Sequence, residues 1–268
     1  MPSIKELKVD YIIPSIAGRL GNNLFMIANA YNKAITYNKQ LVVCKSQVHQ
    51  IDNYFDNIFR NIDYIETFED NRNYNPSIPS NDKHSIYVGY FQSENYFKNN
   101  ADKIKSIFGP TESFIEKIKL EIPVIFEKSV TSINVRKGDY LSYPNYHPTV
   151  SKEYIQHCID ETKESEYYLI VSDDIPWCKE NIKIDNCFFL EGYKTYEQLW
   201  IMSLCKNFII SNSSFSWWGA YLSKEKNKRI LAPQTWFGPE GPPSWEDMYC
   251  EGWDIVPTYF DNGLIYPL

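Results

Sequence analysis

Apolar and polar positions along the chain follow two alternating rhythms. Short, continuously apolar runs have the length and the β-branched or aromatic content of buried strands: Val9 to Pro14, Leu41 to Cys44, Ile86 to Tyr90, Val130 to Val135, Tyr167 to Val171, Cys187 to Leu190, Phe208 to Ile210 and Arg229 to Leu231. Between them lie longer segments with apolar residues at helical spacing. Leu24, Ile27, Ala28, Tyr31, Ala34 and Ile35 mark one face of a first helix, and Thr111 to Leu120, Ser151 to Lys163 and Thr195 to Cys205 read the same way. Ser93 and Glu94 form the polar start of a further helix. Strand, helix, strand with apolar strands predicts parallel sheets covered by helices. The rhythm lapses over residues 45 to 85, a polar stretch that predicts loops and short helices, and restarts after EIPVIFEKS at 121–129. The expectation is an α/β protein of two Rossmann-like halves, residues 1–127 and 128–268, facing each other across a cleft. The Pro-, Gly- and Trp-rich stretch from Pro233 predicts a loop-like tail crossing that cleft or packing on the first half.

Ligands of such sheets bind beyond the carboxyl ends of the strands, and the chain places anion-friendly residues there. At 207–222, NFIISNSSFSWWGAYL, a short strand turns into a helix through Ser211, Asn212, Ser213 and Ser214. These side chains either cap the helix or leave its first N–H groups to an anion. At 132–140, SINVRKGDY, a strand delivers Arg136 and Lys137 into a turn closed by Asp139. At 17–23, AGRLGNN, Gly18 and Gly21 permit a tight turn around Arg19 and Asn22. Together these loops predict a polyphosphate ligand. The glycine spacing is Gly-x-x-Gly, not Gly-x-Gly-x-x-Gly, which excludes the dinucleotide fingerprint of dehydrogenases.

Composition narrows the partners. A net charge of −7 argues against nucleic acid, whose backbone needs a cationic face. The aromatic share of 16% is high enough to allow stacking on sugars, although most of the rings are needed for the core. The six cysteines include no Cys-x-x-Cys pair and predict free thiols in a reducing compartment. No 18-residue apolar run or signal-peptide pattern is present. The expected location is therefore cytoplasmic, with at most a peripheral contact to the inner face of the membrane.

The segments GRLGNNLF, GYFQSENYF at 89–97, NVRKGDY at 134–140, VSDD at 171–174 and SNSSFSWWGA at 211–220 occur in an order and spacing that resemble the α-1,2-fucosyltransferases of glycosyltransferase family 11. The resemblance implies a GT-B fold with a donor-binding C-terminal half and an acceptor-side N-terminal half. It also implies GDP-β-L-fucose as donor, inverting transfer without a metal or cofactor, and a galactose-containing glycan or lipid-linked oligosaccharide as acceptor. A bacterial O-antigen or surface-polysaccharide pathway fits such an enzyme. The absence of any Asp-x-Asp agrees with metal independence.

Arg136 matches the family's arginine in His-x-Arg-x-Gly-Asp and is the expected clamp on the diphosphate. Gly18, Arg19, Gly21 and Asn22 would complete the cradle with Asn212, Ser213, Ser214 and Phe215. The chain departs from the pattern at Asn134, where the family carries His; Asn can hydrogen-bond but cannot become cationic. Asp173, Asp174 and Glu197 are candidates for reading guanine, with the Asp pair equally able to cap the turn before Pro176. Asp139 and Glu94 are the candidates for general base. Glu94 can instead complement a helix dipole, and Asp139 can instead orient Arg136. His147, in a Pro-rich loop, is placed to line the acceptor site.

Overall fold

The apolar run at the N-terminus becomes the middle strand of a parallel sheet in the computed structural model, which describes residues 10–45, 54–65 and 84–258. The chain divides into two compact units, residues 1–109 and 110–268. The first contains β1 (Tyr11–Pro14), α1 (Leu20–Thr36), β2 (Gln40–Leu41), β3 (Val43–Cys44), α2 (Tyr54–Asn57), β4 (Tyr64–Ile65), β5 (His84–Tyr87) and α3 (Ala101–Phe108). β1 pairs in parallel with β2 on one side and β5 on the other. The expected strand over 41–44 is split, because its backbone changes partner. Val42 N–H still donates to Ile12 of β1, whereas Val43 N–H donates to Asp63 and starts the β3–β4 pair. Tyr11, Ile13, Val42 and Cys44 form the sheet's core with Ile86 against them. Much of the polar stretch at 45–85 lies outside the described residues; α2 and β4 are the elements seen within it. The helix expected from Ser93 is instead a pair of 3₁₀ turns, Glu94–Tyr96 and Lys98–Asn100, leading into α3.

The second unit contains α4 (Glu112–Glu121), α5 (Val124–Glu127), β6 (Val130–Val135), α6 (Lys152–Asp160), β7 (Tyr167–Ser172), α7 (Ile175–Asn181), β8 (Cys187–Phe189), α8 (Thr195–Ser203), β9 (Asn207–Ile209), α9 (Ser214–Tyr221), β10 (Ile230–Pro233) and β11 (Asp254–Val256). Its six strands are all parallel, in the order β11-β10-β9-β6-β7-β8. Ile133 lies opposite both Ile170 and Ile209, and these join Leu231, Tyr154 and Ile155 in one core. The stretch around Pro176 forms α7, since Asp174 caps it and a proline in the first turn forfeits no helical hydrogen bond.

The units divide at Gly109 and Pro110, ahead of the boundary that the restarting rhythm sets at 127. Side chains of α4 explain the difference. Phe114 packs edge-on against Trp200 at 5.0 Å, Lys117 pairs with Glu197 at 3.1 Å, and Glu121 accepts from the Tyr193 hydroxyl at 2.9 Å. The tail also differs from the expected loop. It adds β11 beside β10, and its neighbouring turn accepts a 2.6 Å hydrogen bond from the indole of Trp217 at Met248. Tyr249 donates back to Pro233 at 2.7 Å, so the described part of the tail folds onto its own unit. All six cysteines are free thiols. Among the described residues no helix is long and apolar enough to cross a membrane.

Candidate active site

In the second unit the chain runs outward from β6 through β7 to β8, then returns to the other side of β6 with β9, β10 and β11. The neighbouring strands β6 and β9 are thus followed by connections that leave in opposite directions. Their carboxyl ends flank a crevice of the kind that receives ligands in doubly wound sheets. The segments 136–140 and 211–214 occupy those two ends.

Immediately after β6 the chain turns its two basic residues to opposite sides. Arg136 stays at the mouth and pairs with Asp173 at 2.6 Å and with Asp139. Its guanidinium carbon lies 5.1 Å from the centre of the Tyr140 ring. Lys137 turns inward and is 1% exposed; its ammonium donates to the Val150 carbonyl at 3.2 Å and lies 3.8 Å from the Trp177 ring centre. Lys137 is thus part of the loop's scaffold. Asp173 accepts the Lys137 backbone N–H at 2.9 Å with the oxygen that does not face Arg136. Gly138, at φ +29°, lies so close that a Cβ there would run into the Asp173 carboxylate. The Gly in this turn therefore permits the aspartate to reach the arginine.

The opposite rim is built from neutral groups. Ser213 caps α9, accepting the Phe215 N–H at 3.3 Å, with Ser214 and Phe215 half-buried in the first turn. Asn212 donates to the carbonyls of Pro148 and Trp236 at 2.8 and 2.9 Å, while its Oδ1 is enclosed without a partner. Ser211 donates to Asn134 at 2.9 Å, and Asn134 donates to Val171 at 3.1 Å. The amide standing where the family has His therefore ties β6 to β7 and to the turn after β9. Of the two readings of the SNSS turn, the capped helix is the one observed.

Tyr140 joins the two rims. Its hydroxyl donates to the Asn212 carbonyl at 3.2 Å, and burial pushes its pKa up to about 12, so it stays a donor. His147 stacks on the Tyr140 ring at 4.3 Å with an interplanar angle of 11°. Burial lowers the pKa of His147, with Asp139 acting against that shift and Arg136 with it. Tyr140 lies inside the NVRKGDY segment, but nothing in a single sequence distinguishes a ring that bridges two loops from one that fills a core.

The carboxylates expected to read guanine all have structural work. Asp174 caps α7 through the Trp177 N–H at 3.0 Å. Glu197 accepts the Lys194 N–H at 2.9 Å and pairs with Lys117. Asp173 is engaged as described above. Among the described residues no group of three or more His, Cys, Asp or Glu is arranged to hold a metal ion.

Gly18, Arg19, Gly21, Asn22 and Glu94 belong to the first unit, which has its own switch point: β1 leads through α1 to β2, and β5 lies on the other side. Gly18 adopts φ +75°, and Arg19 occupies the N-cap of α1 without a side-chain cap bond. Gly21 is buried in the first turn. Asn22 accepts a 2.8 Å hydrogen bond from Gln92, tying the first turn of α1 to the loop after β5. Phe91 holds a left-handed φ of 50° there, and Glu94 opens the 3₁₀ turn capped by Ser93.

Comparison with known proteins agrees with this architecture. The chain aligns at 27% identity with an α-1,2-colitosyltransferase of Escherichia coli, over 84% of this chain and 92% of that one. It aligns at 27% with the O-antigen biosynthesis glycosyltransferase WbnK of Escherichia coli, over 55% of this chain and 54% of that one. It aligns at 24% with the galactoside α-(1,2)-fucosyltransferase 1 of Alouatta caraya, where the chain spans only 42% of that protein. In structure it resembles the fucosyltransferase NodZ from Bradyrhizobium, with a TM-score of 0.58 at 13% identity over 84% of this chain and 94% of that one. A family 9 glycosyl transferase from Veillonella parvula gives a TM-score of 0.52 at 10% identity, over 94% of this chain and 88% of that one. The fold is the α/β, GT-B-like fold of these transferases. The model of glycosyl transferase family 11 matches residues 12–256, nearly the whole chain, and the protein belongs to that family.

Proposed function

We propose that this glycosyltransferase moves L-fucose from GDP-β-L-fucose to a hydroxyl of a galactose unit in a glycan or lipid-linked oligosaccharide. Transfer inverts the anomeric centre, forms an α-1,2 linkage and needs no metal, in the assembly of a bacterial surface polysaccharide such as O-antigen. The observation that carries this reading is Arg136, aimed by Asp173 at the switch point of the second unit, with the SNSS turn on the facing rim.

As the acceptor oxygen bonds to C1 of the sugar, the bond from C1 to the diphosphate oxygen breaks and its electron pair passes to the phosphate. A fixed guanidinium meets that growing charge with paired donors. The first turn of α9 adds neutral N–H donors from the opposite rim. The acceptor proton goes to a carboxylate, for which Asp139 and Glu94 are the candidates. In the first unit, Gln92, Phe91 and Tyr96 suit a polyhydroxyl ligand, which supports an acceptor role for that unit, while Gly18, Arg19, Gly21 and Asn22 are the residues proposed to complete the diphosphate cradle.

A second donor has specific support. The relative aligned over 92% of its length is named as a colitosyltransferase, and Asn134 departs from the fucosyltransferase pattern. Incubation with GDP-fucose or GDP-colitose and a panel of galactosides, with the product linkage read by NMR, decides between them. Product from GDP-fucose in an α-1,2 linkage is the expected result; turnover of GDP-colitose alone would reassign the donor, and a different linkage would overturn the acceptor assignment.

A further inference from the structure

Backbone pairing continues further on one side of β6 than on the other. Between β6 and β7 the register runs to Val135 opposite Ser172, whereas between β6 and β9 it stops at Ile133 opposite Ile209. Arg136 and Ser213 then follow on the two rims of the crevice. The buried side chain of Asn134 lies where the strand ends part. Its Nδ2 donates to the Val171 carbonyl at 3.1 Å, and its Oδ1 accepts from the Ser211 hydroxyl at 2.9 Å. Each of these three residues stands two positions before a group at the mouth: Asn134 before Arg136, Val171 before Asp173, which pairs with that arginine, and Ser211 before Ser213, which caps α9. Ser211 is itself fixed, since its carbonyl accepts the Ser213 N–H at 2.8 Å and the Ser216 hydroxyl at 2.9 Å. A single amide thus joins three strand ends, and a buried network of this kind holds its geometry because losing one member strands the partners of the others.

We propose that Asn134 is a positioning residue: through Val171 and Ser211 it sets the separation between the Arg136 guanidinium and the first turn of α9, and it acts on the nucleotide through that separation, with no contact of its own. The inference rests on the reading that Arg136 receives the donor diphosphate. The influence of Asn134 then passes through the planar fork. A guanidinium meets two phosphate oxygens at once only when it is correctly aimed, whereas an ammonium is a point charge on a flexible stem and adjusts to a displaced rim. Loss of the amide tie therefore matters with arginine at position 136 and hardly matters with lysine there.

Calorimetric titration of the full chain with GDP, arranged as a mutant cycle with circular dichroism reporting the fold, tests this. Asn134→Ala is expected to weaken GDP binding roughly 5- to 20-fold, and Ser211→Ala, which cuts the tie from its other end and leaves Asn134 in place, roughly 3- to 10-fold. Arg136→Lys is expected to weaken it on the order of 10- to 100-fold. Adding Asn134→Ala to Arg136→Lys is expected to change affinity by less than about twofold, because the aim it sets is no longer used. Equal losses from Asn134→Ala with arginine and with lysine at 136 would point to a direct contact or a general loosening and overturn the positioning role. Unchanged affinity in both Asn134→Ala and Ser211→Ala would overturn it as well. Should Asn134→Ala not fold, Ser211→Ala with and without Arg136→Lys gives the same comparison. If wild type does not bind GDP, or Arg136→Lys binds it as tightly as wild type, the diphosphate reading falls and the positioning role falls with it. A loss confined to the arginine background supports both.

Discussion

The two switch points share one plan and differ in chemistry. In each, the first strand of a parallel sheet has later strands on both sides, and hydrogen bonds cross between the segments at the carboxyl ends: Gln92 to Asn22 in the first unit, Tyr140 to the Asn212 carbonyl and Asn212 to the Pro148 carbonyl in the second. The second point is charged, with Arg136 between Asp139 and Asp173. In the first, Arg19 at the start of α1 and Glu94 are accompanied by the Asn22–Gln92 amide pair and by a left-handed Phe91 that packs edge-on against Tyr96. Topology alone therefore selects where a ligand can bind, and the side chains at the loop ends select which ligand. A rigid cation suits an anionic leaving group; amides and ring faces suit a neutral sugar.

The largest effect that tests this contrast is expected at Arg136. Lysine retains the charge but loses the planar fork, so Arg136→Lys should lower kcat roughly 10²- to 10³-fold with the protein still folded. Circular dichroism and turnover with the active donor check this together; a folded variant with near-wild-type kcat would remove Arg136 from the chemistry.

Next in size is a paired glycine test. Both Gly18 and Gly138 have positive φ, but an added Cβ meets the amide nitrogen of Asn22, held by one hydrogen bond from Gln92, at Gly18 and the carboxylate of Asp173, held by Arg136 and the Lys137 N–H, at Gly138. Gly18→Ala is expected to cost about 1 kcal/mol of stability, the ordinary left-handed penalty. Gly138→Ala should cost about 1–3 kcal/mol and also weaken GDP binding, because the turn must open away from Asp173. Urea denaturation and GDP titration of both variants give the comparison. Equal costs with unchanged GDP affinity would show that the Gly138 turn does not support the arginine.

The legible part of this molecule is the part fixed by local pattern. The apolar runs around Ile13, Ile133, Ile170 and Ile209 became core strands, and the helices between them followed from their spacing. The placing of Arg136, Asn212 and Ser213 just past strand ends was readable because apolar runs followed by small or charged residues are a local signal. Three features were not. The strand at Asp254–Val256 is short and sits among Pro, Gly and Trp, so it forms only because β10 offers it an edge. The attachment of α4 to the second unit depends on contacts with Trp200 and Glu197, about 80 residues away in sequence. The engagement of Asp173 by both Arg136 and the Lys137 N–H requires β6 and β7 to be neighbours in register, which residue order does not state.

The smallest expected effect is a pH dependence at the charged switch point that has no counterpart described in the first unit. His147 faces Arg136 and Asp139 from the end of β6, Tyr140 beneath its ring and Tyr146 at its edge; Glu240, from the tail, is held by Asn145 two residues before it. Burial holds its pKa below the ordinary 6.5, so in that window the unfolded chain binds more protons than the folded one. This contribution to stability is fully present above pH 6.5 and is lost as the pH falls through 6.5 towards the folded value. His147→Phe keeps an aromatic ring against Tyr140 and removes the titration. Its urea midpoint should therefore change less between pH 7.5 and pH 5.5 than that of wild type. An identical shift in both proteins would mean that His147 stays as exposed to protons when folded as when unfolded, and that the stack does not shield it.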